Sequence, residues 1–353
     1  MESCAPVSAL ATTHCAGDEP TQQSYFYLSP QAMSIVSERA MTDFQRMAEL
    51  LASGVPGAST TYALPPTLGT GQVTLVAAEP GLVIALRHLR YLHEQVLRPG
   101  SAQAETDVLL LSFQLRKPAA AGAAWHLTAV LLTSDDVGIT TRLPAHTELF
   151  TVNLAISKSL LATWFTPATD WLRTLLAART PVAYDTLGTP DLLRVLLELA
   201  PPRPAQPWDG FFYRLKVQEL VYYLFRELAQ RAATPGYSLR AADVETLFQV
   251  RDQVLAALAT PPSLPQLARS VGMNEAKLSS LFRQVFGASI FQYYQAARMT
   301  EAKRSLARFS VSEVGYQLGF TNLSHFTRLF AKHHGLNPKA YQAQLPQREL
   351  DRG

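Results

Sequence analysis

Eight histidines, two cysteines and the serine hydroxyls are the side chains of this 353-residue chain that could ligate metal or attack a substrate. Their spacing argues against both kinds of chemistry. His88, His93, His126 and His146 match no compact ligand set such as His-x-His or His-Glu-x-x-His. His88 and His93, five positions apart, do not share a helix face well, so all four are read as ordinary surface or core histidines. Cys4 and Cys15 lack Cys-x-x-Cys spacing and cannot build a disulfide framework or a structural zinc site. No Gly-x-Ser-x-Gly elbow surrounds a serine. Neither an enzyme, nor a metal, nor a cofactor is expected. The cationic side chains remain. From Arg251 onward there are 13 Lys and Arg against 6 Asp and Glu, whereas the residues before it hold 18 against 22. A basic hundred-residue segment on a mildly acidic body implies that the segment meets a polyanion.

The elements that would present those cations occur twice. Ser263–Met273 (SLPQLARSVGM) aligns with Ser310–Phe320 (SVSEVGYQLGF) at an offset of 47, and Lys277–Gly287 aligns with His325–Gly335 at an offset of 48. Each copy has the logic of a helix-turn-helix. Ser263 with Gln266, and Ser310 with Glu313, are capping boxes that open a first helix. Ala268 and Gly315 are small where a second helix crosses. Gly272 and Gly319 supply the positive φ that ends the first helix, and Met273 and Phe320 plug the angle. Asn274 and Thr321/Asn322 cap second helices whose inner faces carry Leu278, Leu281, Phe282 and Phe326, Leu329, Phe330. A third capping box, Ser289 with Gln292, opens a connecting helix expected to reach about Arg308, roughly 28 Å long. Successive major-groove faces of B-DNA lie about 34 Å apart, so such a helix could hold two reading heads one turn apart. Asn337-Pro338 then starts a last short helix, Lys339–Leu345.

A helix in the major groove reads bases with its outward, N-terminal side chains. In the first copy those are Glu275, Ala276, Ser279, Ser280 and Arg283; in the second, Asn322, Leu323, Ser324, His325 and Arg328, with Lys332 beyond them. Arg298, Lys303 and Arg304 on the connecting helix, with Lys332 and Lys339, are candidate phosphate contacts. Arg328 is the best candidate for a bidentate guanine contact.

Residues Arg251–Leu345 resemble the DNA-binding domain of the AraC/XylS family of bacterial transcription regulators. The stretches GMNEAKLSSLFRQVFGASIFQYYQAARMTEAKRSL and GYQLGFTNLSHFTRLFAKHHGLNPKAYQ follow the family pattern, and the first looks most like its siderophore-responsive, PchR-type branch. LPAHTELFTVNLAISKSLLATWF and FFYRLKVQELVYYLFREL carry a weaker likeness to that branch's effector domain. The resemblance implies base-reading roles for Ala276, Ser279, Ser280, Leu323, Ser324 and Arg328. The first reading helix departs from many members in its short side chains, which implies readout through methyl contact, water or DNA shape.

The preceding residues are read more coarsely. Charged residues are only 17% of the chain and apolar ones 48%, which excludes a disordered polypeptide. No apolar run of about 18 residues escapes a charge or proline, and the first twenty residues do not read as a signal peptide, so a cytoplasmic protein is expected. Helical patterning is read at Ala32–Leu51 and Leu86–Leu97, with a Pro/Gly-rich interval, Val55–Gly71, between them. Asp107–Leu115, Ala124–Thr133 and Glu148–Ile156 read as strands. Helices are expected at Lys158–Phe165, Asp170–Ala178, Pro190–Leu199 and Phe211–Arg231, with a break at Pro201–Pro207. In the last helix, Val217, Leu220, Val221, Leu224 and Leu228 form one apolar stripe that packs on its own domain or on a second subunit. Phe113, Trp125, Phe150, Trp164, Phe165 and Trp171 are either core or the lining of a ligand pocket.

The expected fold is α+β: an N-terminal effector domain with a small β-core plus helices (1–235, possible dimerisation included), a linker (236–248) around the segment TPGYS, an all-α domain with two helix-turn-helix motifs joined by a long helix (249–345), and a tail (346–353). The expected function is a transcription regulator, an activator, controlled by a small-molecule effector such as a ferric siderophore. Its expected partners are double-stranded promoter DNA, RNA polymerase, the effector and a second copy of the chain. The alternatives are a regulator whose first domain docks a protein, or an enzyme fused to a DNA-binding tail.

Overall fold

A computed structural model describes residues 47, 59–97, 107–117, 124–134, 137, 139–166, 169–179, 181–186, 188–201, 206, 208–231 and 239–345. The expected helix at Ala32–Leu51 (apart from Met47, helical and buried), most of the Pro201–Pro207 break and the TPGYS segment lie outside them. Among the described residues no helix is long and apolar enough to cross a membrane.

The first half is an antiparallel sheet of seven strands in the order β1-β2-β3-β8-β5-β6-β9. In chain order these are β1 (Ser59–Ala63), β2 (Gly69–Glu79), β3 (Leu82–Tyr91), β5 (Val108–Lys117), β6 (His126–Ser134), β8 (Glu148–Ser157) and β9 (Ala183–Thr186); β4 (Gln95–Leu97) and β7 (Thr141–Leu143) form a separate pair. Alternation assigns the two faces. Leu82, Ile84 and Leu86 of β3, Leu109, Leu111, Phe113 and Leu115 of β5, and Phe150, Val152, Leu154 and Ile156 of β8 bury against helices. The intervening residues face the other way.

Those helices are α1 (Lys158–Trp164), α2 (Asp170–Ala177), α3 (Pro190–Leu199) and α4 (Asp209–Ala229). Ser157, Thr169 and Thr189 cap the first three through side-chain bonds to the backbone. The apolar stripe of α4 is core, not a subunit contact: Val217, Leu220, Val221, Leu224 and Leu228 are at most 1% exposed and join the cluster under the sheet.

One expectation fails here. Leu86–Leu97 is not helical; it forms the end of β3 and then β4. Leu86 and Leu89 happen to fit helical spacing, but β3 lies between β2 and β8 and its backbone is hydrogen-bonded on both sides, which overrides local pattern. The Pro/Gly-rich interval Val55–Gly71 holds β1 and the start of β2.

The second half is all helical: α5 (Ala241–Ala256), α6 (Leu264–Ser270), α7 (Glu275–Phe286), α8 (Ile290–Ser305), α9 (Val311–Gln317), α10 (Leu323–His334) and α11 (Pro338–Ala343). The segment 236–248 is therefore helical from Ala241 onward, and Val244, Leu247 and Phe248 are buried with α7. The connecting helix α8 stops at Ser305, three residues short of expectation, which makes it about 24 Å long. It serves two cores at once. Tyr293 and Tyr294 enter the first, with Leu278, Phe282 and Phe286; Met299, Ala302 and Leu306 enter the second, with Val314, Phe326 and Phe330. Ala183 of β9 and Val137 also join the first helical core, so the sheet packs directly on the helical half.

Candidate nucleic-acid interface and an adjoining cavity

The two helix-turn-helix units are near-copies in atomic detail. The amide of Met273 donates to the carbonyl of Ala268 at 3.0 Å, and that of Phe320 to the carbonyl of Gly315 at 2.9 Å. Gly272 and Gly319 close their turns at φ +66° and +76°. A Cβ at Gly315 would lie 2.5 Å from Leu323 Cδ2, so a side chain there would displace Leu323. Asn274 Oδ1 accepts from the Lys277 amide at 2.7 Å, and Asn322 Oδ1 from the Ser324 and His325 amides at 2.9 and 3.1 Å. The capping boxes at Ser289 and Ser310 form as expected. Ser263 does not: its side chain makes no cap bond, and with proline at the second helical position α6 opens without that bond.

The expected reading residues form one exposed rim on each second helix. Glu275, Ala276 and Arg283 are exposed and Ser279 and Ser280 half-buried on α7; Asn322, Ser324, His325 and Arg328 are exposed and Leu323 half-buried on α10. Leu323 packs toward Gly315, and Asn322 holds the helix start, so both position the rim as well as border it. Lys303, Arg304, Lys332 and Lys339 are exposed. Among the described residues, Arg283, Arg328, Lys332 and Lys339 enter no ion pair, whereas Arg304 meets Glu301 at 2.8 Å.

Arg298 is a correction. It is 7% exposed, its Nε donates to the Leu318 carbonyl at 2.8 Å, and its guanidinium stacks 3.6 Å from the centre of the Phe320 ring. Burial lowers its proton affinity. It cannot reach a phosphate. It ties α8 to the turn of the second unit instead, a role that its place on a basic helix did not signal.

Sequence reasoning missed a cavity of about 1040 Å³ between the sheet and α5. Its floor is the face of the sheet opposite the helices, where Ser112, Gln114 and Arg116 alternate with the buried leucines of β5. Ser112 Oγ donates to Asn153 Oδ1 at 2.7 Å across the β5–β8 pair. Its roof is Phe248, Arg251, Asp252 and Leu255 of α5 and Tyr293 of α8. The polar alternation in LLLSFQLRK was the available signal. The six aromatics weighed as pocket residues do not line it; Phe113 and Phe150 are buried on the opposite face.

A buried polar junction crosses from floor to roof beside the cavity. Arg251 of α5 meets Asp185 of β9 at 3.0 Å. Arg231, just past α4, donates to the Asp185 carbonyl at 2.7 Å and to the Val285 carbonyl of α7 at 3.2 Å. Burial lifts the Asp185 carboxyl from the ordinary 3.8 to about 6, with Arg251 offsetting only part of that. No group of three or more histidine, cysteine or acidic side chains among the described residues could hold a metal. His88 instead bonds Glu148 at 2.7 Å and packs edge-on against Trp125.

Residues 267–344 match the model of a family described as a helix-turn-helix domain. The regulatory protein PchR of Pseudomonas aeruginosa is 48% identical over 68 residues, 19% of this chain and 23% of PchR. The arabinose operon regulatory protein of Escherichia coli is 30% identical over 90 residues, 25% of this chain and 31% of that one. The chain thus spans a third or less of the length of these two relatives. Among solved structures, an AraC-type regulator from Chromobacterium violaceum is 26% identical, covering 30% of this chain and 96% of its own, with a TM-score of 0.28. ToxT from Vibrio cholerae covers 75% of this chain and 98% of its own at 11% identity, with a TM-score of 0.30.

Proposed function

We propose, from the premise that residues 267–344 form an AraC-type helix-turn-helix domain, that this protein is a sequence-specific transcription regulator controlled by a small-molecule effector. One observation carries the DNA-binding reading: two matched reading heads stand on a single helix, each with an exposed rim that includes an arginine free of ion pairs among the described residues. Phosphate contacts come from Lys303, Lys332 and Lys339, and from Arg304 once Glu301 yields it. Binding of the full chain to promoter duplexes should weaken steeply with salt as counterions are released. A salt-insensitive affinity removes the reading.

The effector occupies the cavity, because it is the place where a bound molecule would touch the sheet and the DNA-binding half together. The resemblance of the first helix-turn-helix to the siderophore-responsive, PchR-type branch, beside 48% identity to the regulatory protein PchR over 68 residues, supports a ferric siderophore as effector and an activating role, with RNA polymerase as the partner at the promoter. Ferric chelates that bind the native state should raise its melting temperature. No shift across a chemically broad ferric panel overturns the siderophore assignment. A second reading, in which the first domain docks a protein, is favoured by the outer face of α4, where Trp208, Phe211, Leu215 and Tyr222 are exposed. Replacing Phe211 by Glu separates the two: it abolishes regulation without altering ligand shifts only if that face is a docking site.

A further inference from the structure

The cavity holds more positive charge than its own wall neutralises. Arg116, Arg142 and Arg251 line it beside Arg87, which has a partner of its own, and the carboxylates on the same wall are Asp185 and Asp252. Both are taken by Arg251, at 3.0 and 2.8 Å. Arg142 meets Glu94 at 3.1 Å. Arg116 meets neutral acceptors at the edge of bonding distance: Gln114 Oε1 at 3.5 Å and the Arg142 carbonyl at 3.4 Å. Its Nε is buried with no acceptor among the described residues. A guanidinium cannot shed its proton to escape such a place. Burial, and then repulsion from Arg251, both lower its proton affinity.

We infer that the cavity binds an amphipathic organic anion, its charged group on Arg116 facing Arg251 and its apolar body against Leu89, Leu131, Ile139, Leu149, Phe248 and Leu255. The inference rests on the effector reading above and gives that effector a charge and a polarity. The volume is at the upper end of the about 300–1,000 Å³ typical of small-molecule sites, which fits a multi-ring or long-chain molecule better than a sugar or an amino acid. Bidentate geometry suits a carboxylate or sulfonate on guanidinium. Arg251 belongs to the DNA-binding half and Asp185 to the sheet, so an arriving anion competes with Asp185 for Arg251 and changes the tie between the two halves.

The test uses the full chain and two fluorescent probes that differ only in charge, 8-anilinonaphthalene-1-sulfonate and its neutral parent N-phenyl-1-naphthylamine. The sulfonate should bind saturably and at least tenfold more tightly than the neutral probe. Arg116→Met should weaken the sulfonate at least tenfold, leave the neutral probe within about twofold, and raise the melting temperature of the ligand-free protein. Arg116→Lys should recover part of the sulfonate affinity. Equal affinity for the two probes, sulfonate binding indifferent to Arg116→Met, or a variant less stable than the parent each overturns the proposal. DNA affinity measured with and without saturating sulfonate keeps the readings apart: an unchanged DNA affinity beside intact, Arg116-dependent probe binding sinks effector control and leaves the anion site standing.

Discussion

Arg328 and Lys339 are both exposed cations of the helical half, yet their loss should be felt differently. Arg328→Ala removes a candidate guanine clasp and should cost about 1–3 kcal/mol at the cognate site while relaxing preference at one base pair. Lys339→Ala should weaken cognate and scrambled duplexes alike and reduce the salt slope by about 1. Competition binding on both duplexes separates the cases; identical behaviour would mean that Arg328 reads no base. Arg298→Ala should leave the salt slope unchanged and lower stability by about 2–4 kcal/mol, since it orphans the Leu318 carbonyl and removes a stack on Phe320. Denaturant unfolding measures it. Asp185 gives a pH signature. Its carboxyl binds the proton more tightly in the fold, near 6, than in the unfolded chain, near 3.8, so the protonated fold is the favoured one. Its contribution is therefore full below about 4 and is lost as pH rises to about 6, a span of about 3 kcal/mol at roughly 1.4 kcal/mol per unit. The melting temperature of Asp185→Asn relative to the parent should climb through that window and level above it.

At the scale of elements, the two turn glycines look alike in sequence and should not behave alike. A Cβ on Gly272 meets open space, so Gly272→Ala carries only the left-handed penalty of about 1–2 kcal/mol. A Cβ on Gly319 falls on the Ala259 carbonyl oxygen, so Gly319→Ala should cost about 2–5 kcal/mol and loosen the second unit first. Thermal unfolding of the two variants checks the order. The helical half was legible because its signals are local: caps three residues apart, a glycine at a helix end, an apolar stripe. The strands β5, β6 and β8 were legible by the same token. The edge of the sheet was not, because the fate of Leu86–Leu97 depends on partners far along the chain, and neither β2 nor β8 is visible from within it. The exposed rims of the two second helices followed from helix geometry once the repeat was seen. The cavity did not, because it needs β5, β8 and α5 brought together across more than a hundred residues. Arg298 was misassigned for a related reason: a cation on a helix that enters two cores says nothing about which turn it folds back upon.

At the scale of the molecule, the boundary of the DNA-binding half follows from burial. Leu239, Val244, Leu247 and Phe248 are packed into its first core, so we propose that it begins near residue 239. A fragment of residues 239–345 should fold alone and bind DNA, while one starting at Gln249 should lose several kcal/mol through those missing side chains. Circular dichroism melts of the two fragments decide this; equal stability would restore the later start. Helix α8 has a further consequence. Because its two ends are embedded in separate cores, the angle between the reading heads is counted in residues. One residue inserted at its centre would swing the second head by about 100°, off the face of the duplex, and seven would bring it almost back into phase, displaced by about 10 Å, close to the rise of three base pairs. If the two helices read DNA as proposed above, an operator for this protein has a fixed gauge: its two half-elements can drift in sequence, but not in the number of base pairs that separates them.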